Sequence, residues 1–372
     1  SVPRAVRVGA PLRAPQPGRE RTRLVAEPGG LDRLAWRIEP RRPPRAGEVE
    51  VEVAATGLNF RDIMLGLDVL DDEILGEGLT NGALGFEFAG RIRALGPEVG
   101  GFSPGDVVMG FAADAFASHV TVPQGQIFRA PRGLSAEAAA AIPVAFVTAW
   151  HALVETARLR AGETVLIHGG AGGVGLAALQ IAKLQGARVV AAAGTAEKRE
   201  LLRHLGADIA VDSRSPNLEE EVRAATGGVD VALNSVAGDA MRATLRLLKP
   251  FGRFVELGKR DFLDNTRLPL RPFVRNLAYF GVDLDQLLRH APHVAADAAR
   301  QVIEAFEAGA LHPIPYQIFE GASAPEAFRL MQASGHVGKL LVRPAPQGLA
   351  AGEGQPAFRP GPGAHVVLGG TG

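Results

Sequence analysis

The 372-residue chain contains no cysteine. That excludes disulfides, thiolate zinc centres and a cysteine nucleophile, and it permits the cytoplasmic location expected here. Net charge is absent too. Lys and Arg total 40 against 40 Asp and Glu, so no global field draws the chain to nucleic acid or to an anionic membrane, and neither is an expected partner. No run has the length and apolarity of a membrane span, and none reads as a signal peptide. The nearest candidate, residues 136–148, is alanine-rich and interrupted by Pro143, and reads as buried helix followed by loop. Lysine is scarce: Lys183, Lys198, Lys249, Lys259 and Lys339 are all there are, and arginine supplies the remaining positive charge. Where arginine is the default, a lysine invites a reason, because only lysine is a compact charge that readily releases a proton. Lys183 and Lys249 read as solvated charges at helix ends.

What is present is an ordinary globular composition, 47% apolar and 22% charged, long enough for two domains with tails. Residues 1–22 and 344–364 are rich in Pro, Arg and Gly without periodicity and read as linkers. "GEVEVEVAATGLNF" alternates, with Val49, Val51 and Val53 on one face and Glu48, Glu50 and Glu52 on the other, as a half-buried strand does. Short strands punctuated by Gly and Pro follow, as in a small barrel-like β region. From about residue 144 the texture changes to strand and helix in alternation, which predicts a doubly wound parallel sheet. The final "HVVLGGTG" reads as a strand entering the glycine loop of a second nucleotide-binding unit.

"VLIHGGAGGVGLAALQIAK" carries the strongest signal. Gly170, Gly172 and Gly175 satisfy G-x-G-x-x-G, with Ala171, Gly173 and Val174 between them. The string follows a predicted strand and opens a predicted helix with Val174, Ala178, Ile181 and Leu184 on its apolar face. Glycines there allow the tight turn and let backbone amides reach a pyrophosphate. An NAD site wants an acid at the end of the second strand to accept from the ribose 2′-hydroxyl. After Ala193 the chain reads "GTAEKRE", with no acid at that strand end. Lys198 and Arg199 lie just beyond, and Arg214 follows the third strand, so a 2′-phosphate and NADPH are favoured. Arg199 also fits a plain surface charge. His168 reads as a satisfied core or loop residue.

Beyond the loop, "GLNFRDIM" (57–64), "AEKRELL" (196–202), "VDVALNSVAGD" (229–239), "GRFVELGKRDFLDN" (252–265) and "GHVGKLLV" (335–342) occur in order. Together they resemble the enoyl reductase domain of a type I polyketide synthase or animal-type fatty acid synthase, in the zinc-free medium-chain dehydrogenase/reductase superfamily. The resemblance covers about residues 22–343. It implies a Rossmann-type sheet inserted into a mainly β, barrel-like substrate domain: substrate domain 23–143, nucleotide domain 144–280, substrate-domain return 281–343, and the first strand of a ketoreductase domain within 344–372.

The activity implied is NADPH-dependent reduction of a trans-α,β-unsaturated acyl thioester on an acyl carrier protein. Ketoreductase and dehydratase domains are implied as neighbours in the same polypeptide, and a homodimer is compatible. By resemblance, Lys259 and Asp283 match the two candidate proton donors, with a structural salt bridge as the plain alternative. Gly170 to Gly175, Lys198, Arg214, Thr148, Asn234, Ser235 and Lys339 are implied at the cofactor. Asn59 and Phe60 are implied at the substrate, Phe60 standing where many modular relatives carry tyrosine. Arg61 and Asp62 read as a structural ion pair. No metal is implied, and no pair of histidines has ligand spacing on a helix. Alternatives are a free-standing NADPH quinone or enone reductase, and a non-catalytic scaffold domain.

Overall fold

A computed structural model describes residues 14–27, 30–69 and 78–345. "HVVLGGTG", and with it the expected start of a second nucleotide-binding unit, lies outside them. Among the described residues no helix is long and apolar enough to cross a membrane.

The chain opens with an antiparallel pair, β1 (Glu20–Ala26) and β2 (Leu34–Pro40). β1 starts inside the stretch expected as linker, and Thr22 is buried. Five strands follow: β3 (Glu48–Gly57), β4 (Glu87–Leu95), β5 (Val107–Phe111), β6 (His119–Pro123) and β7 (Ile127–Arg129). The alternation of β3 directs Val49, Val51 and Val53 into a core with Phe88, Ile92 and Val108. Its other face departs from the sequence reading at Glu50, which is buried because Arg41 reaches it twice, at 2.7 and 3.0 Å.

Two buried helices, Ala136–Ala140 and Pro143–Trp150, then lead across, and a π-helical turn, His151–Thr156, ends them. Pro143 opens the second helix instead of ending the first. At the first helical position its missing N–H is no loss.

Six parallel strands follow: β8 (Thr164–Ile167), β9 (Arg188–Ala193), β10 (Ile209–Asp212), β11 (Val229–Asn234), β12 (Leu248–Glu256) and β13 (Ala278–Gly281). Their order is β10-β9-β8-β11-β12-β13, a doubly wound sheet that reverses direction of winding between β8 and β11. Lys249 lies in β12 rather than at a helix end, and pairs with Asp230 at 2.9 Å. The helix Gly173–Leu184 is buried on more than one face, with Leu176, Leu179 and Ile181 inside. Leu184, expected on its apolar face, is exposed.

The chain finally returns. β14 (Tyr316–Phe319) pairs with β15 (Lys339–Val342), and β15 pairs antiparallel with β3, so the last strands complete the first sheet. The parallel sheet is therefore inserted into the mainly β unit.

Candidate active site

The carboxyl ends of all six parallel strands lie on one edge of the sheet, and a residue marked by the sequence stands at or just beyond each. Gly170–Gly175 follow β8, Lys198 follows β9, Arg214 follows β10, Asn234 ends β11, Lys259 follows β12 and Asp283 follows β13. Ligands of such folds bind at this edge, at the reversal of strand order.

The glycine loop is built by close approach. A side chain at Gly175 would place its Cβ 2.3 Å from the Gly169 carbonyl oxygen and 2.7 Å from the Gly170 backbone. Gly169 turns with φ +62°, and Gly170 donates to the Ala192 carbonyl at 3.0 Å. The helix that follows has Gly172 at its N-cap and no side-chain cap, so its first amides remain open to an anion.

At the end of β9, Arg214 lies against Gly194, where a Cβ would meet its Nε at 2.9 Å. Partial burial, then the positive charge of Arg214, hold Lys198 below the ordinary lysine range. Lys198 Nζ donates to the Ser334 carbonyl at 2.8 Å. Arg199 pairs with Asp212 at 3.0 Å and so is committed to structure.

His168, which begins the glycine loop, donates through Nε2 to Thr244 Oγ1 at 2.8 Å, because the Thr244 hydroxyl hydrogen goes to the Ala240 carbonyl. Its Nδ1 is buried without a partner among the described residues, so the residue is only half satisfied there. Burial pushes its pKa down to about 4, which keeps it neutral.

Lys259 and Asp283 meet: Lys259 Nζ donates to Asp283 Oδ2, with both side chains partly exposed. Asp283 Oδ1 caps the helix Leu284–His290 by accepting from the Asp285 amide at 3.0 Å. Asp285 is buried, and Arg61 reaches it at 2.8 Å. The expected Arg61–Asp62 ion pair is therefore not formed. Asp62 instead accepts from the backbone amides of Asn59 and Gly85, each at 2.8 Å, and burial pushes its pKa up to about 6.

Lys339 comes to the cofactor loop by its stem rather than by its charge. Its Cδ lies 3.1 Å from where a Cβ at Gly173 would stand, and Gly338 donates to the Ala171 carbonyl at 2.8 Å. The side chain is 4% exposed, and its ammonium closes on Glu87 at 2.5 Å, Asn59 Oδ1 at 2.5 Å and the Leu58 carbonyl at 2.9 Å. Asn59 spends its amide on Gly57 and Glu87, both at 3.1 Å, so it braces this junction. Glu87, fully buried, also accepts from the Val144 amide at 2.7 Å, tying the first sheet to the helix Pro143–Trp150.

Thr148 is buried on that helix. Ser235 lies beside Gly169, where a Cβ would meet its Oγ at 3.3 Å. Phe60 is 59% exposed at the start of its helix. Sequence reasoning missed Glu87, Glu256 and His336. Glu87 could have been noticed as a carboxylate inside the apolar strand "LGFEFAG". His336 keeps a buried Nδ1 without a partner among the described residues, and burial, then Lys198 and Lys339, push its pKa down to about 4.

Two known families match. One, described as "Alcohol dehydrogenase GroES-like domain", matches residues 45–132; the other, "Zinc-binding dehydrogenase", matches 173–297. The crystal structure of CurK enoyl reductase superposes with a TM-score of 0.79 at 35% identity, covering 87% of this chain and 99% of that one. The chain belongs to the polyketide-synthase enoyl reductases, in the medium-chain dehydrogenase/reductase superfamily. A mycocerosic acid synthase-like polyketide synthase of Mycobacterium tuberculosis is 40% identical over 325 residues, 86% of this chain. The enoyl reductase chain spans only 15% of that protein. The native structure of mycobacterial Rv1454c complexed with NADPH has a TM-score of 0.76 at 25% identity, covering 87% of this chain and all of that one.

The residues of this enoyl reductase do not fit the zinc in the second family's description. There is no cysteine, and among the described residues no group of three or more His, Asp or Glu could hold a metal ion.

One stability consequence follows from the buried junction. Breaking a buried ion pair from one side costs about 3–5 kcal/mol. Lys339→Met, which strands Glu87, is expected to lower the unfolding free energy by about that much in urea titration. The double variant with Glu87→Gln should recover part of the loss. A Lys339→Met protein as stable as the parent would contradict the reading of this junction.

Proposed function

We propose that this domain reduces a trans-α,β-unsaturated acyl thioester, carried on an acyl carrier protein, to the saturated thioester with NADPH. The observation that carries the reading is the Lys259–Asp283 pair on the same sheet edge as the glycine loop.

The residues fit a phosphorylated dinucleotide. The close packing that only glycine permits at 175 and the uncapped helix start suit a pyrophosphate. Lys198 and Arg214 suit a 2′-phosphate, Lys198 exchanging the Ser334 carbonyl for it. Bound there, the cofactor supplies hydride to the β-carbon of the conjugated acyl group. The chain's own work is electrostatic and protonic. As the β-carbon gains its electron pair, charge develops on the thioester oxygen, and the Lys259 ammonium is a fixed positive group on this edge to oppose it. Lys259 also holds transferable protons at Nζ, oriented by Asp283, for delivery to the α-carbon directly or through water. Phe60 has no hydroxyl and supplies no proton. The carrier protein, and ketoreductase and dehydratase neighbours in the same polypeptide, belong to this reading, as does a homodimer.

The purified domain, mixed with NADPH and a crotonyl thioester, should consume the cofactor fluorescence and yield the butyryl thioester. Consumption only with quinones would replace this reading with a quinone reductase. Binding without turnover on either would make the domain a scaffold.

A further inference from the structure

Glu256 ends β12 three residues before Lys259, and its side chain is 1% exposed. Among the described residues no cation pairs with it. Its Oε1 accepts from the Gly258 amide at 2.7 Å, and its Oε2 accepts from Asn234 Nδ2 at 2.6 Å. Its carbonyl oxygen accepts from the Val282 amide at 2.9 Å. One residue therefore grips the turn that carries Lys259 through its carboxyl group and the turn that carries Asp283 through its backbone. Asn234 completes the grip, since its carbonyl oxygen accepts from the Leu257 amide at 2.9 Å. The approach is close: a Cβ on Gly258 would stand 2.8 Å from Glu256 Oε1.

We infer that Glu256 is a positioning residue for the reduction: it holds the Lys259 turn against the Asp283 turn so that the ammonium meets the developing charge. The inference rests on Lys259 and Asp283 acting on the substrate, as proposed above. Burial, reinforced by Asp261, pushes the Glu256 carboxyl up to about 7. Misplacing a reacting group by about an ångström can cost on the order of a hundredfold in rate.

The test compares three variants of the intact domain by kcat on a crotonyl thioester, Kd for NADPH by fluorescence titration, and melting temperature. Glu256→Ala removes the acceptor for Gly258 and is expected to lose about tenfold or more in kcat, with Kd for NADPH within about threefold. Glu256→Gln keeps a carbonyl oxygen for the Gly258 amide but turns a donor toward Asn234 Nδ2, so its kcat should recover part of the loss and lie clearly above that of Glu256→Ala. Two results overturn the inference: parental kcat in Glu256→Ala, or losses in kcat, cofactor affinity and folded fraction that run together in both variants. Lys259→Ala separates the layers. If its turnover is parental, the proposed chemistry is what fails; if it drops while Glu256→Ala does not, only the role of Glu256 is lost.

Discussion

Lys259→Ala is expected to lower kcat on an enoyl thioester by about a hundredfold or more, with NADPH affinity unchanged. The size follows from what the ammonium does. A preorganised donor at a developing oxyanion is worth about 10²–10³ in rate, and a positioned general acid contributes a similar factor. The two roles reside in one group, so their loss is not a product; water can take over protonation, and the oxyanion loss remains. Asp283→Asn should show a smaller fall. Asparagine keeps an oxygen for the Asp285 amide, so the helix Leu284–His290 retains its cap. It removes the carboxylate that Lys259 Nζ meets, so the ammonium loses its orientation. Steady-state kcat alongside fluorescence titration reads both effects. Parental turnover in Lys259→Ala would leave the pair as the salt bridge that the sequence also allowed.

The second large effect concerns the cofactor's extra phosphate. Hydrogen bonds to charged groups contribute about 1.5–3 kcal/mol each, and 1.4 kcal/mol is a factor of ten. Lys198→Ala and Arg214→Ala should each weaken NADPH binding by about tenfold or more while leaving NADH binding within about twofold. The lower end is expected for Lys198, because its ammonium must first release the Ser334 carbonyl. Arg199→Ala is the internal control: its guanidinium is held by Asp212, and its removal should leave the ratio of the two affinities unchanged. Equal loss for both cofactors in Lys198→Ala would remove that residue from the phosphate site.

Much of the inserted sheet was legible because its signals are local. β8 is Thr164 followed by three apolar residues, all four buried, the glycine string sets the turn after it, and helices such as Ala196–His204 carry their own cap in Thr195. That the sheet is parallel and doubly wound follows from strand and helix alternation. What could not be read is what depends on the meeting of distant segments. Lys339 was marked by its rarity, but its partner Glu87 stands more than 250 positions earlier, and nothing local says that the ammonium turns inward while the stem lines Gly173. Arg61 was assigned to its neighbour Asp62, yet the side chain reaches Asp285 on a helix from the other end of the chain. Asp62 is taken by the amides of Asn59 and Gly85, which leaves the arginine to cross. Glu256 was hidden for a related reason: its partner Asn234 ends the neighbouring strand, 22 positions earlier.

The most direct measurement of the whole account follows the transferred hydrogens. NADPH deuterated at C4 of the nicotinamide, incubated with the domain and a crotonyl thioester in ordinary water, should yield butyryl thioester with deuterium at the β-carbon alone. In deuterated water with unlabelled cofactor, the label should appear at the α-carbon. Cofactor deuterium found at the α-carbon, or consumed without entering the acyl chain, would contradict hydride delivery along this sheet edge to a conjugated thioester.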